Sequence, residues 1–271
     1  MTTAILGVGV MGETILSGLL ASGVDPATLR VTTRRPKRQA KLAEKYPHVT
    51  VTSNLEAVAG ADTVLVVVKP QDVADILQEV GPALAPGALI VSLAAGVETA
   101  TIDRHIPDGH PIVRVMPNTP AAVGEGMAAI SAGPHATAEH LDRVTAILSA
   151  VGQVVTVPEK YQNAVTAISG SGPAYVMFVV EAMIDAGVML GLPRATATEL
   201  VIQTVFGSAK LLRDSGEHPT VLRENVTSPG GTTAAALREF EGHRVKAAFM
   251  DAMEAACRRS EALGRAQFDE D

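Results

Sequence analysis

Apolar residues fall along this chain in two rhythms, and the change between them divides it. Up to residue 157, short runs of Val, Ile, Leu and Ala alternate with amphipathic stretches of helical length. Residues 4–6, 29–33, 49–52, 62–68, 89–93 and 112–116 read as strands, 126–132 as an added edge strand and 153–157 as the last. The run 62–68 is continuously apolar and β-branched after its first residue, as in a strand covered on both faces of a parallel sheet. Helical patterns follow residue 12 and run up to Tyr46, over 53–59 (capped by Ser53 or Asn54) and over 136–151. From Glu159 onward the pattern is helical, with no further alternation of strand and helix. The expectation is therefore an α/β domain with a mostly parallel sheet over 1–158, then an all-α domain over 159–271.

In the second domain, residues 173–190 are apolar on most of their circumference, with Val176, Met177, Phe178, Val179, Val180, Met183, Ile184, Val188, Met189 and Leu190. A helix apolar nearly all round must be buried. Glu181 and Asp185 make it a covered helix of a soluble protein rather than a membrane span. About 110 residues cannot cover it with their own helices, so the expectation is a homodimer through this half. The N-terminus carries no basic segment ahead of its apolar run, so no signal peptide is expected, and a cytoplasmic location follows.

At the first strand–helix junction stand Gly7, Gly9 and Gly12, spaced G-x-G-x-x-G. In that place the pattern suits a dinucleotide: Gly7 permits the turn, Gly9 admits a pyrophosphate to the backbone, and Gly12 lets helix and strand pack closely. The helix N-terminus adds free N–H groups and a positive dipole end. A bare glycine turn is the plainer alternative. Where an NAD-binding unit carries an acid after its second strand, this chain has Thr32, Thr33, Arg34 and Arg35. Read as forks for a 2′-phosphate, the arginines point to NADP; the plainer alternative is a solvated basic loop. With this glycine unit the first domain has the plan of a Rossmann domain.

Three later strands end in turn-forming residues: Lys69-Pro70-Gln71, Ala94-Ala95-Gly96 and Pro117-Asn118-Thr119-Pro120. Ligands in open α/β sheets lie beyond such strand ends. Two further turns stand in the helical half. Residues 169–173 (Ser-Gly-Ser-Gly-Pro) introduce the long apolar helix. Residues 227–233 (Thr-Ser-Pro-Gly-Gly-Thr-Thr) introduce another, with Ser228 expected as N-cap and Pro229 as first helical residue. Two glycines beside a helix start cost about 1 kcal/mol each relative to Ala and add no packing. They leave N–H groups bare, which makes an anion site suited to a carboxylate.

A net charge of −7 speaks against a general nucleic-acid binder. The one cysteine, Cys257, excludes an intrachain disulfide and reads as an inert buried thiol. The seven histidines show no metal-ligand spacing, so no metal site is expected.

Together these turns resemble the pyrroline-5-carboxylate reductase family over essentially the whole chain. The resemblance rests on Gly7-Val-Gly-Val-Met-Gly12, Val68-Lys69-Pro70-Gln71, Ala94-Ala95-Gly96 and Met116-Pro117-Asn118-Thr119-Pro120. Its most specific parts are Ser169-Gly-Ser-Gly-Pro-Ala-Tyr175 and Thr227-Ser-Pro-Gly-Gly-Thr-Thr233. It implies reduction of 1-pyrroline-5-carboxylate to L-proline by NADPH, with NADH accepted more weakly, in a homodimer or higher oligomer whose C-terminal helices interleave. It implies cofactor contacts at Leu6, Gly7, Val8, Gly9, Val10 and Met11, at Thr33, Arg34 and Arg35 for the 2′-phosphate, and at Asn54 near the adenosine. Val67, Val68, Lys69 and Pro70 and then Ala94, Ala95 and Gly96 are implied to flank ribose and nicotinamide. The substrate carboxylate falls to Ser228, Gly230, Gly231 and Thr232, with Asn225 and Glu159 close by. Thr233 is implied to hydrogen-bond the ring nitrogen, as a partner rather than a firm general acid. Where many members have Asn-Arg this chain has Thr33-Arg34-Arg35, which adds positive charge. Two rivals are a reductase of β-hydroxyacids or ketopantoate, needing a lysine donor such as Lys210 or Lys246, and a non-catalytic nucleotide-binding regulator.

Overall fold

The computed structural model describes residues 1–266; the last five residues of the expected helical domain, 267–271, lie outside the described residues. Its first part alternates strand and helix. β1 (Thr3–Leu6), α1 (Val10–Ala21), β2 (Leu29–Val31), α2 (Pro36–Lys45), β3 (Thr50–Val51), α3 (Asn54–Val58), β4 (Thr63–Val66) and α4 (Val73–Val80) come first. β5 (Leu89–Ser92), α5 (Thr99–Asp103), β6 (Ile112–Met116), β7 (Gly126–Ala132), α6 (Ala138–Ser149) and β8 (Gly152–Thr156) complete it. The eight strands form one sheet in the order 3-2-1-4-5-6-7-8. β1 pairs in parallel with both β2 and β4, so the strand order reverses beside it, the place where open α/β sheets take their ligands.

The period-2 alternation inside the apolar runs sorts them onto two cores. Ile5, Leu65, Val91 and Val113 face one way, against Ile15, Leu16 and Leu19 of α1, Leu42 of α2, and Val144 and Leu148 of α6. Leu6, Val64, Val66, Ile90 and Ile112 face the other, against Ala57 and Val58 of α3, Ile76, Leu77 and Val80 of α4, and Ile102 of α5. Each such large side chain contributes at most about 1.5–3 kcal/mol.

β7 departs from the edge position expected for 126–132. It lies between β6 and β8, antiparallel to β6 and parallel to β8, which is the true edge. The cause is the connection. After β6 the chain makes only a single-turn 3-10 helix, Thr119–Val123, closed by Gly124 at φ +76°. That is too short for a parallel crossover, so β7 must run back, whereas α6 supplies the long crossover to β8.

The remaining described elements are helical: a turn at Glu159–Tyr161, α7 (Gln162–Val165), a π-helical turn Thr166–Gly170, α8 (Gly172–Met189), α9 (Arg194–Ser215), α10 (Pro219–Asn225), α11 (Thr232–Gly242) and α12 (Val245–Ala266). Packing is cut differently from this change of element type. Residues 1–171 and the chain from Ala255 form one compact unit, and Gly172–Glu254 the other. Residues 159–171 stay with the sheet because polar side chains anchor them there: Gln162 Nε2 donates to Ser131 Oγ (2.8 Å) and to the Ala129 carbonyl (3.2 Å).

Within the second unit α8 and α9 form a hairpin. Gly191 turns the chain at φ +96°, and the Leu192 N–H reaches the Gly187 carbonyl at 3.0 Å. Arg194 pairs with Asp185 across it at 2.9 Å. No residue of α8 is buried in the single chain, and Phe178 is 72% exposed. Among the described residues, one helical run, 159–189, is long and apolar enough to cross a membrane.

Candidate active site

The turn after β1 is built by strand ends around it. Gly7 has φ +80°, and a Cβ there would overlap Val68 Cγ1 and lie 3.0 Å from the Val67 carbonyl oxygen, so glycine is required twice over. The end of β2 pins the turn: the Gly7 N–H donates to Thr32 Oγ1 (3.3 Å) and the Val8 N–H to the Thr32 carbonyl (2.7 Å). The Gly9 N–H folds back on Gly7 O at 2.7 Å. α1 then starts with no side-chain cap, so the N–H groups of its first turn at Val10, Met11 and Gly12 have no acceptor in the helix. Gly9 has an ordinary φ of −89°, and a Cβ there would meet nothing closer than 4.0 Å. No neighbouring atom requires glycine at that position. An oxyanion approaching the backbone does, so the turn fits a pyrophosphate. Leu6 and Val8 are buried beneath it, Met11 is half-buried and Val10 is exposed.

Gly12 does not carry the close packing expected of it. A Cβ there would make ordinary contacts, the nearest at 3.5 Å. The close approach falls on Gly18 one and a half turns later, where a Cβ would overlap Val151 Cγ1 and sit 2.9 Å from the Ala150 carbonyl oxygen.

Beyond β2, Thr33 is half-buried while Arg34 and Arg35 are exposed at the start of α2. Arg34 is already engaged: both terminal nitrogens meet the Asp72 carboxylate, at 3.1 and 2.9 Å. A third cation went unrecognised as a partner in the sequence. Arg38 donates to the Gly9 carbonyl (3.4 Å) and pairs with Glu13, which also accepts from Lys45 Nζ (2.8 Å) and Tyr46 Oη (3.2 Å). The hydrogen bond from Lys45 and the pairing with Arg38 hold the Glu13 carboxyl below the usual carboxylate range, against a smaller opposing effect of burial. Arg38 stands in the sequence as one more cation beyond Arg35, but only the fold reveals its partners. After β3, Ser53 caps α3 through a capping box with Glu56. Asn54 takes the first helical position, and its Nδ2 donates to Glu79 Oε2 at 3.0 Å.

Val67 and Val68 leave β4 half-buried, Lys69 is exposed, and Pro70 opens a 3-10 turn to Asp72. After β5, Ala94 is buried, Ala95 half-buried, and Gly96 buried with φ +79°. A Cβ on Gly96 would come within 3.3 Å of the Gly264 backbone nitrogen, so α12 braces this loop. Nearby, Ser260 Oγ donates to Asn163 Oδ1 (2.8 Å). After β6, Asn118 is used at both ends: Nδ2 donates to the Ser169 carbonyl (3.2 Å) and Oδ1 accepts from Met127 N–H (2.8 Å). Ser169 and Gly170 belong to the π-helical turn rather than a loop, and a Cβ on Gly170 would overlap Met116 Cε.

Glu159 is occupied as well. Its carboxylate accepts the Thr99 N–H (2.8 Å) and Thr99 Oγ1 (2.6 Å), and pairs with Arg114 at 3.2 Å. Arg114 is 4% exposed in the middle of β6, so Glu159 neutralises a charge buried in the sheet and ties down the start of α5. No local sequence pattern reveals this pairing, because 45 residues separate the partners.

In the second unit, Asn225 ends α10, and Ser228, Gly230, Gly231, Thr232 and Thr233 follow it in one exposed to half-buried stretch. The expected cap is corrected. α11 begins at Thr232, its N-cap is Gly231 without any side-chain cap, and Ser228 and Pro229 sit in the preceding turn. That turn is closed by the Gly231 N–H on Ser228 O (3.0 Å), with Gly230 at φ +69°. The first intrahelical bond runs from Ala235 N–H to Gly231 O, so the N–H groups of Thr232, Thr233 and Ala234 lack helical acceptors.

Residues 159–263 match the family model for pyrroline-5-carboxylate reductase dimerisation, and residues 2–96 the model for NADP oxidoreductase, coenzyme F420-dependent. A pyrroline-5-carboxylate reductase of Corynebacterium melassecola is 43% identical over 97% of this chain and 99% of its own. The chain belongs to the pyrroline-5-carboxylate reductase family. The solved pyrroline-5-carboxylate reductase of Coxiella burnetii matches 97% of this chain and 98% of its own at 35% identity, TM-score 0.91. The pyrroline carboxylate reductase of Plasmodium falciparum, solved with NADP bound, matches the same shares at 31% identity, TM-score 0.87. The dimerisation model covers most of the helical half, and the bare turn at 228–233 lies inside that match.

Proposed function

We propose that the protein reduces 1-pyrroline-5-carboxylate to L-proline, the last step of proline biosynthesis, with NADPH supplying the hydride and NADH serving less well. The observation that carries the substrate is the uncapped start of α11, where two glycines and the N–H groups of Thr232, Thr233 and Ala234 offer a carboxylate a ready cradle. Ser228, Gly230, Gly231 and Thr232 hold the carboxylate, Asn225 lies at its edge, and the Thr233 hydroxyl meets the ring nitrogen. Thr233 orients the imine; an iminium already protonated on nitrogen needs no stronger acid. Glu159, with its oxygens committed to Thr99 and Arg114, acts as a positioning residue.

In the first unit the start of α1 and the turn at Leu6–Met11 hold the pyrophosphate. Thr33, Arg34 and Arg35 receive the 2′-phosphate, with Asn54 near the adenosine. Val67, Val68, Lys69 and Pro70 together with Ala94, Ala95 and Gly96 fix the reacting ring, and that alignment is the main thing the chain contributes.

The exposed apolar faces of α8 and α9, among them Val176, Met177, Phe178, Leu200, Ile202 and Phe206, meet those of a second copy. A bilayer is the poorer cover: Glu181 and Asp185 interrupt α8, and Asp185 is paired with Arg194. The assembly is cytoplasmic and engages neither membrane nor nucleic acid. The carbonyl-reducing rival needs a lysine donor, and Lys210 is paired with Asp214 within α9.

Mixing the protein with NADPH and 1-pyrroline-5-carboxylate should erase the nicotinamide absorbance. A signal stable with this imine but lost with a 2-keto acid would transfer the assignment to the rival.

A further inference from the structure

Asp72 stands outside the set of residues assigned to the cofactor, yet it holds the residue on which the 2′-phosphate assignment depends. Both terminal nitrogens of Arg34 are engaged by the two Asp72 oxygens, at 3.1 and 2.9 Å. This fork-on-fork pairing presents to the carboxylate the same N–H edge that a phosphate monoester takes. The two partners differ in freedom. Arg34 is a long side chain, 79% exposed. Asp72 has a short side chain, 23% exposed, on a 3-10 turn whose Pro70 fixes the backbone and whose Asp72 N–H is bound to the Lys69 carbonyl at 2.9 Å. When Arg34 turns to a phosphate, Asp72 cannot follow, and its negative charge stays beside the vacated position.

We propose that Asp72 is a specificity-determining residue that competes with the 2′-phosphate for Arg34 and so limits the preference for NADPH over NADH. This rests on the reading that Arg34 receives the 2′-phosphate. NADPH must displace the carboxylate and tolerate it as a neighbour, whereas NADH leaves the pair intact. The pair is at the surface, so the competition is worth only a small factor in affinity.

The test is calorimetric titration of the full-length protein with NADP⁺ and, separately, NAD⁺ at fixed ionic strength, for the parent, Asp72→Asn, Arg34→Ala and the double variant. Asp72→Asn should tighten NADP⁺ by about two- to fivefold and leave NAD⁺ unchanged. In the Arg34→Ala background the same change should do less. Should Arg34→Ala weaken NADP⁺ selectively while Asp72→Asn leaves the ratio of the two affinities unchanged, Asp72 is not a competitor. A fall in that ratio overturns the proposal too, because Asp72 then orients Arg34 for the phosphate. Equal effects of Arg34→Ala on both nucleotides remove the 2′-phosphate reading itself, and the inference goes with it.

Discussion

Glu13 shows how much a single side chain can tie together. From the first turn of α1 it draws in Arg38 and Lys45 of α2 and Tyr46 just after it, and Arg38 also holds the Gly9 carbonyl. Its carboxyl is held below the ordinary 4.5, so the folded state binds its proton less tightly than the unfolded one. The stabilisation is therefore present above the unfolded value and is lost as pH falls through the folded value. Glu13→Gln should lower the melting temperature by about 1–3 °C at pH 7, and the gap should close as pH falls below the usual carboxylate range. Melting curves across pH 3–7 check this; a gap that persists in acid would show that packing, and not charge, holds α2 to α1. Residues of this kind were only half legible. A glycine that needs positive φ, such as Gly7, announces itself through the motif. Arg34 announces a cation, but Asp72 lies 38 residues away, and no local pattern connects them.

At the scale of elements, periodicity was a good guide to what each stretch becomes and a poor one to where it goes. The strands at 63–66, 89–92 and 112–116 sit inside the apolar runs that foretold them, because a run buried on both faces has few other uses. β7 lies inside the sheet rather than at the expected edge because its position depends on the length of the link before it, not on its own residues. The start of α11 lies at Thr232 rather than Pro229 for a related reason: Ser-Pro is a good opening, but Gly230 at φ +69° interrupts the helix before it can form. That shift leaves the proposed anion site more open than a capped helix would have been. Close packing moved too, from the motif's Gly12 to Gly18, because it is Gly18 that meets the backbone before β8.

The whole molecule is incomplete as a single chain. α8 has no buried residue, and the family model that covers residues 159–263 is one for dimerisation. Sedimentation should give a mass of two or more 28.1 kDa chains, and a stable species of one chain would contradict the proposed helical interface. The existence of a partner was readable from α8, since an all-round apolar helix cannot face water. The bracing of the Gly96 loop by Gly264 was not, because a glycine late in a long helix looks the same whether or not another backbone rests on it. The central claim is that hydride passes from NADPH to the imine carbon of 1-pyrroline-5-carboxylate. It is tested most directly with NADPH carrying deuterium at both C4 positions and mass spectrometry of the product. The expected product is L-proline with one deuterium on the ring carbon next to nitrogen and away from the carboxylate; unlabelled proline, or no proline, would overturn the assignment.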